Sequence, residues 1–294
     1  MANKIITMKN ISIKIMIVFI VLTQCLIIHH GQGQAKTKPL KEEVHLTDLA
    51  NLNITNETTK DIKKLEELIK QRKPRFIYLE QWVTLEPQNK DILKLLNKLA
   101  KKSDSKFYLV VGKNNWFGTR GVSNVIAAIN EYGKYIDGIV LRVEPNKTNI
   151  WVKDDSFKIQ ILNQMLDAYH AIHSETKKRN KQFIAEFPFW LTDFKGPNGN
   201  FSQDTCNYSD KVIFLIDNEE ILDKIDIKWN NITCQYQINL GRRATNQTDD
   251  SLKEIYKKIK DNTAFYYNFN GFIVDSDSPL LQTEEKQISD NSSP

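Results

Sequence analysis

Eight short segments of β-type sequence alternate with stretches of helical spacing along 294 residues, and no Gly-rich phosphate loop follows the first of them. Those two observations predict an α/β fold, a single-domain (β/α)8 TIM barrel in which parallel strands joined mostly by helices close on themselves. A doubly wound open sheet is the alternative topology, and its usual phosphate-binding turn is missing from the sequence. Composition agrees with one large core, since 40% hydrophobic and 26% charged residues are an ordinary globular balance.

The chain opens with Lys4, Lys9 and Lys14 ahead of the apolar run 15-IMIVFIVLTQCLII-28, followed by 31-GQGQA-35. A cationic start, a short apolar stretch and a small-residue exit read as a secretory signal peptide over residues 1–35. The run is short for a membrane span, so no stable membrane insertion is expected after cleavage; an uncleaved signal anchor is the alternative. Cys25 lies inside this leader behind Gln24, where a lipid-attachment site wants a small residue. A polar linker, 36–43, leads into the barrel, 44–280, and a polar tail, 281–294, is expected to be disordered.

The expected strands are 44-VHLTDL-49, 75-RFIYLEQ-81, 106-KFYLVVG-112, 137-DGIVLRVE-144, 182-QFIAEFPFW-190, 211-KVIFLID-217, 234-CQYQINLG-241 and 271-GFIVDSD-277. Each is short and rich in β-branched or aromatic residues, and most are bounded by turn formers. Helical spacing appears over 59–73, 91–102 and 156–178, the last with Ile159, Leu162, Met165, Leu166, Tyr169 and Ile172 on one face. Weaker helical patterns cover 121–132, 218–226 and 249–261. The connection after the fifth strand, 193-DFKGPNGNFSQDTCNYSD-210, has no helical pattern and reads as an irregular loop carrying Cys206.

Beyond the leader the chain keeps only Cys206 and Cys234, an even number in an oxidising context, which predicts one disulfide. Beyond the leader it also carries eight Asn-x-Ser/Thr sequons, at Asn53, Asn56, Asn146, Asn200, Asn207, Asn231, Asn246 and Asn291. Chance predicts about three, so a secreted glycoprotein is expected. The net charge of +5 comes from scattered lysines rather than a basic stripe interleaved with aromatics, which argues against a nucleic-acid partner. His45, His170 and His173 show no metal-ligand spacing with other donors, and no metal or cofactor is expected.

In such a barrel the chemistry collects where strands end, because the loops at that face build the site. The polar and aromatic residues gathered there are Glu80, Asn115, Trp116, Arg142, Glu144, Glu186, Trp190, Asp217, Arg242 and Asp275. Acids, arginines and tryptophans around one mouth suit a carbohydrate. Carboxylates handle protons, arginine and asparagine bind hydroxyls, and indole faces stack on sugar rings. Glu144, Glu186 and Asp217 are the candidate catalytic carboxylates, and the other seven are candidate substrate-binding residues.

The stretch 137-DGIVLRVE-144 resembles the fourth-strand signature of family 18 glycoside hydrolases, D-G-x-D-x-D-x-E, with Val140 and Arg142 in place of the two inner aspartates. A nearer resemblance is to a group of secreted bacterial barrel proteins reading D-G-I-x-L-D-V-E-P on this strand, then a long helix, then D-I-P-F-W. Here 137-DGIVLRVEP-145 and 186-EFPFW-190 stand in those places. That group also has a tryptophan after a V-x-G strand, as in 111-VGKNNW-116, and a sixth strand V-I-x-M-x-Y-x-D, against which 212-VIFLIDNE-219 sets Asp217 at the tyrosine. The resemblance spans roughly residues 75–277 and implies a TIM barrel. It makes Glu144 the counterpart of the proton donor and puts Arg142 where an assisting aspartate would be.

On a strand, residues two apart share a face, so Val140, Arg142 and Glu144 are expected to point together into the barrel. A permanent cation beside a carboxyl favours its charged form, the wrong direction for a general acid. That pairing suits a base, a nucleophile or a structural ion pair. Two functions therefore remain open. One is hydrolysis of glycosidic bonds in a poly- or oligosaccharide, with Glu144 and Glu186 as a carboxylate pair and Asp217 assisting. The other is a catalytically inactive barrel that binds a carbohydrate or a protein partner.

Overall fold

The structure, a computed structural model, describes residues 73–80, 89–151, 154–197, 199–216, 232–240 and 268–275, together with 42–46 and parts of 63–71 and 254–258. The barrel belongs to the compact unit Leu40–Pro294. The expected leader, most of the expected linker, the tail and the helical pattern over 218–226 lie outside the described residues.

All eight expected strands form. They are β1 (Glu42–Leu46), β2 (Phe76–Glu80), β3 (Lys106–Val111), β4 (Gly138–Arg142), β5 (Gln182–Pro188), β6 (Lys211–Leu215), β7 (Tyr236–Asn239) and β8 (Phe269–Asp275). Each pairs in parallel with the next, and β8 closes on β1. The chain folds as the (β/α)8 barrel that its alternating pattern predicts.

Strand periodicity divides the apolar residues between two cores. Tyr78, Tyr108, Val110, Val140, Ile184, Ile213 and Ile273 fill the barrel interior. Their sequence neighbours, among them Ile77, Leu79, Phe107, Leu109, Ile139, Leu141, Phe183 and Phe214, pack outward under the helices. Burial on both faces is why these strands read as near-continuous apolar runs. Toward the strand starts the interior turns polar but stays packed. The Tyr78 and Tyr108 rings stack at 5.4 Å, Tyr78 donates to Gln237 Oε1 at 2.5 Å, and the buried Lys211 ammonium lies 3.6 Å from the Phe76 ring centroid.

Two aspartates fasten this end of the barrel. Asp137 and Asp210 directly precede β4 and β6, and each carboxylate accepts a backbone N–H from the strand before, Phe107 and Phe183 respectively, both at 2.8 Å. Their own N–H groups donate back to the carbonyls of the same two phenylalanines. Gly138 must be glycine, because a Cβ there would meet the Gln182 carbonyl and the Tyr108 ring. Asp137-Gly138, the opening of 137-DGIVLRVE-144, is thus a strand clip at the end of the barrel opposite Glu144.

Four helices are fully bounded: α1 (Asn89–Lys102), α2 (Thr119–Tyr132), α3 (Asp155–Lys178) and α4 (Phe201–Asn207). Helix α3 starts at Asp154, whose Oδ1 accepts the N–H groups of Ser156 and Phe157, and it ends on Lys177 and Lys178, charges that suit the helix dipole at each end. Its buried face includes Leu162, Met165, Leu166, Tyr169 and Ile172 as the spacing predicts, with Ile161 added. Ile159 departs from the pattern and is 49% exposed, because the helix start, where Phe157 is also exposed, lies ahead of the packed face.

The stretch expected to be an irregular loop after β5, 193–210, follows a 3-10 turn, Phe189–Asp193, and contains α4. Seven residues hold too little periodicity to register as a helix. What makes α4 is its Asn200 cap and a buried side that is largely polar, with Ser202, Asp204 and Thr205 beside Phe201. Cys206 of α4 is disulfide-bonded to Cys234 ahead of β7, with a Cα–Cα distance of 5.3 Å.

Candidate functional site

The β4–β5 register sets Arg142 beside Glu186, at the mouth end of the interior and one inward position beyond Val140 and Ile184. The guanidinium grips the carboxylate with two bonds, Nε to Oε2 at 2.7 Å and Nη2 to Oε1 at 2.9 Å. Asn239, at the end of β7, donates its Nδ2 to the same Oε1 at 2.8 Å. The side chains of Arg142 and Glu186 are 7% and 1% exposed, so this is a charge-assisted network taken out of water. Two carboxylate oxygens offer about four acceptor positions, and three are filled.

Glu144, two positions beyond Arg142, is itself buried at 7% exposed. The β4 ladder ends at Arg142, and Glu144 precedes the 3-10 turn Pro145–Lys147. Its Oε2 takes the Lys147 ammonium at 2.5 Å, a half-exposed cation on its own turn. The guanidinium's two short bonds reach across to the neighbouring strand, a partner the i, i+2 spacing does not give. The two candidate glutamates stand in unlike settings, one locked in the interior and the other tied to an exposed lysine.

Gly112 follows β3 with φ of 148°, and a Cβ there would overlap the Arg142 carbonyl, so glycine lets the end of β3 close against β4. Beyond it, residues 113–116 form a turn closed by the Trp116 N–H to the Lys113 carbonyl at 2.9 Å. Asn115 is exposed on that turn, while Trp116 is half-buried against the outer core. Trp190 lies in the turn after β5 and meets Trp151, from the loop after β4, at 5.6 Å between centroids. Phe194 completes the group, 5.5 Å from Trp151 and 6.1 Å from Trp190. These half-buried rings belong to the same two loops that follow the candidate glutamates. Two buried polar atoms on those loops, Asn146 Oδ1 and Thr192 Oγ1, have no hydrogen-bond partner among the described residues.

Glu80 ends β2 and Asp275 ends β8, which puts both positions at the mouth end of their strands. Asp217 and Arg242 lie outside the described residues. Among the described residues no group of three or more His, Cys, Asp or Glu is placed to hold a metal, and no helix is long and apolar enough to cross a membrane. His173 faces Asp210 at 3.4 Å, and His170 packs on the Tyr208 ring. Behind β5, burial and then the charge of Glu186 push the Tyr169 phenol well above its ordinary pKa.

Trp151 and Asn239 are the members that sequence reasoning missed. Trp151 shares a loop with Glu144, and asking which aromatics follow the candidate acid would have found it. Asn239 sits two positions after Gln237 on β7, a polar alternation that marks an inward face.

No family model matches the chain, and no curated protein sequence is similar to it. Solved structures share its architecture. One is a Bacteroides thetaiotaomicron VPI-5482 protein assigned as an alpha-L-fucosidase, 12% identical over 85% of this chain and 94% of that one, with a TM-score of 0.51. Another is the PgaB (BpsB) glycoside hydrolase domain from Bordetella bronchiseptica, 10% identical over 85% and 98%, with a TM-score of 0.52. A sugar phosphate isomerase/epimerase from Parabacteroides distasonis ATCC 8503 aligns at 9% identity over 86% and 97%, with a TM-score of 0.47. The chain shares the TIM-barrel fold of these proteins. At these identities the likeness is one of architecture, and the chemistry has to be argued from the site.

Proposed function

We propose that this barrel is a secreted protein that binds a carbohydrate at its mouth, on the loops after β4 and β5. The observation that carries the reading is the Trp151–Trp190–Phe194 cluster on the two loops that also follow Glu144 and Glu186. Aromatic faces bind the apolar faces of sugar rings, while nearby polar atoms fix the hydroxyls. The Arg142–Glu186–Asn239 network serves as a rigid charged floor beneath the site. Held by three donors, Glu186 is poorly suited to exchanging a proton with substrate.

Hydrolysis of a glycosidic bond is the second reading, and one observation favours it. Arg142 and Asn239 hold the Glu186 carboxylate in one orientation, as positioning a nucleophile requires, and leave one of its acceptor positions open. Glu144 would then be the proton donor and Asp217 an assisting carboxylate. A glycan array probed with the wild type, Trp151→Ala and Glu144→Gln tests the proposal. Binding to a defined set of glycans, weakened by Trp151→Ala and retained by Glu144→Gln, is the expected result. An array with no specific signal for the wild-type protein would overturn carbohydrate binding.

A further inference from the structure

Three sequons lie wholly among the described residues: Asn146-Lys147-Thr148, Asn200-Phe201-Ser202 and Asn207-Tyr208-Ser209. Their asparagine side chains differ in the respect that decides whether a glycan fits. A glycosylated asparagine is a secondary amide, planar and trans like a peptide bond, so the sugar C1 lies on the same side as Oδ1. Whatever crowds Oδ1 therefore competes with the sugar ring.

Asn200 Oδ1 is fully engaged. It caps α4 by accepting the Gln203 N–H at 2.8 Å, and it also accepts the Ser202 hydroxyl at 2.8 Å. Asn146 Oδ1 is buried, so protein atoms already fill the space that a sugar on its amide would need. Rotating that amide by half a turn only exchanges a buried oxygen for a buried nitrogen. Asn207 is different. It is the last residue of α4, it is exposed, and its side chain makes no hydrogen bond within the described residues.

We infer that Asn207 is an N-glycosylation site, and that Asn146 and Asn200 remain bare in the folded protein. The donor class is an oligosaccharide joined through C1 to a lipid diphosphate. Asn207 Nδ2 bonds to C1, the C1–O bond to the diphosphate breaks, the lipid diphosphate leaves with that electron pair, and the amide releases one proton. Ser209, whose hydroxyl completes the sequon, is buried in the fold with Oγ donating to the Thr205 carbonyl at 2.9 Å. Transfer thus precedes the closing of this end of α4, and with it the neighbouring Cys206–Cys234 bridge.

The inference rests on secretory routing, so the test separates the two. The full chain is expressed in a eukaryotic cell twice, behind its own leader and behind a heterologous one that guarantees translocation. Luminal, protease-resistant protein is treated with peptide-N-glycosidase in heavy-oxygen water, and peptide fragmentation shows which asparagines have become labelled aspartate. Label at Asn207, none at Asn146 or Asn200, and loss of one glycan's mass in Asn207→Gln with unchanged Tm are expected. An unlabelled Asn207, or label at Asn146 or Asn200 in the folded pool, would overturn the assignment. Failure confined to the chain's own leader would refute the routing while the heterologous arm still decides the site.

Discussion

Replacing Arg142 with methionine strands the Glu186 carboxylate in the barrel, 1% exposed, with the Asn239 amide as its remaining donor from the network. The lost contacts are two bonds to a charged group, at 2.7 and 2.9 Å. Each such bond contributes about 1.5–3 kcal/mol. Breaking a buried pair by removing one partner costs about 3–5 kcal/mol, the two estimates agree, and roughly 4 kcal/mol is expected here. For a domain of this size that lowers Tm by roughly 10 °C. The double replacement Arg142→Met/Glu186→Leu removes both buried charges together, so it should lie within about 1–3 kcal/mol of wild type. Urea unfolding at neutral pH, followed by tryptophan fluorescence, gives both midpoints and the coupling between them. Arg142→Met costing under about 1 kcal/mol, with the denaturant slope unchanged, would show that the pair is not buried as described.

Three further outcomes follow from the same structure. Asp137→Ala removes the clip from β4 to the Phe107 N–H and should cost about 1–3 kcal/mol in urea unfolding while leaving glycan binding intact, a split that a role at the mouth would not give. Cys206→Ser/Cys234→Ser opens a link across 28 residues, and loop-closure entropy puts the loss at about 3.6 kcal/mol, readable as a matching fall in the unfolding midpoint. Tyr169→Phe removes a buried hydroxyl that has no hydrogen-bond partner among the described residues, so it should be neutral or stabilising by about 1 kcal/mol at pH 7. Its larger effect is alkaline. The folded phenol's pKa is raised, so its contribution is intact below the ordinary value of 10.0 and fades as pH rises beyond it, where only the unfolded chain ionises. Stability measured above pH 10 should therefore fall less steeply in Tyr169→Phe than in wild type.

Strands were legible because most carry a short run rich in apolar, β-branched or aromatic residues between turn formers, the mark that burial on both faces leaves. Helix α4 left no such mark, since Ser202, Asp204 and Thr205 form much of its buried side. The residues of the site were legible singly but their partnerships were not. Arg142 meets Glu186 only because Gly138 aligns with Gln182 across the ladder, and a slip of one residue would have set it beside Ala185 or Phe187. Cross-strand register is a property of the closed barrel, which the i, i+2 rule along one strand does not reveal. Asp137 teaches the complementary lesson. It opens the stretch that resembles a hydrolase signature, yet strand direction puts it at the end opposite the mouth, where it clips β4 to β3.

The proposal that the mouth binds saccharide with Glu186 locked rather than reactive is tested most directly on a glycan that the protein recognises. The glycan is incubated with wild type, Glu144→Gln and Glu186→Gln at micromolar protein, and its mass is followed over a day. The account predicts an intact glycan in every sample, with wild type and Glu144→Gln still binding it. Cleavage by wild type that disappears in both Glu144→Gln and Glu186→Gln would contradict it and establish the two glutamates as a hydrolytic pair.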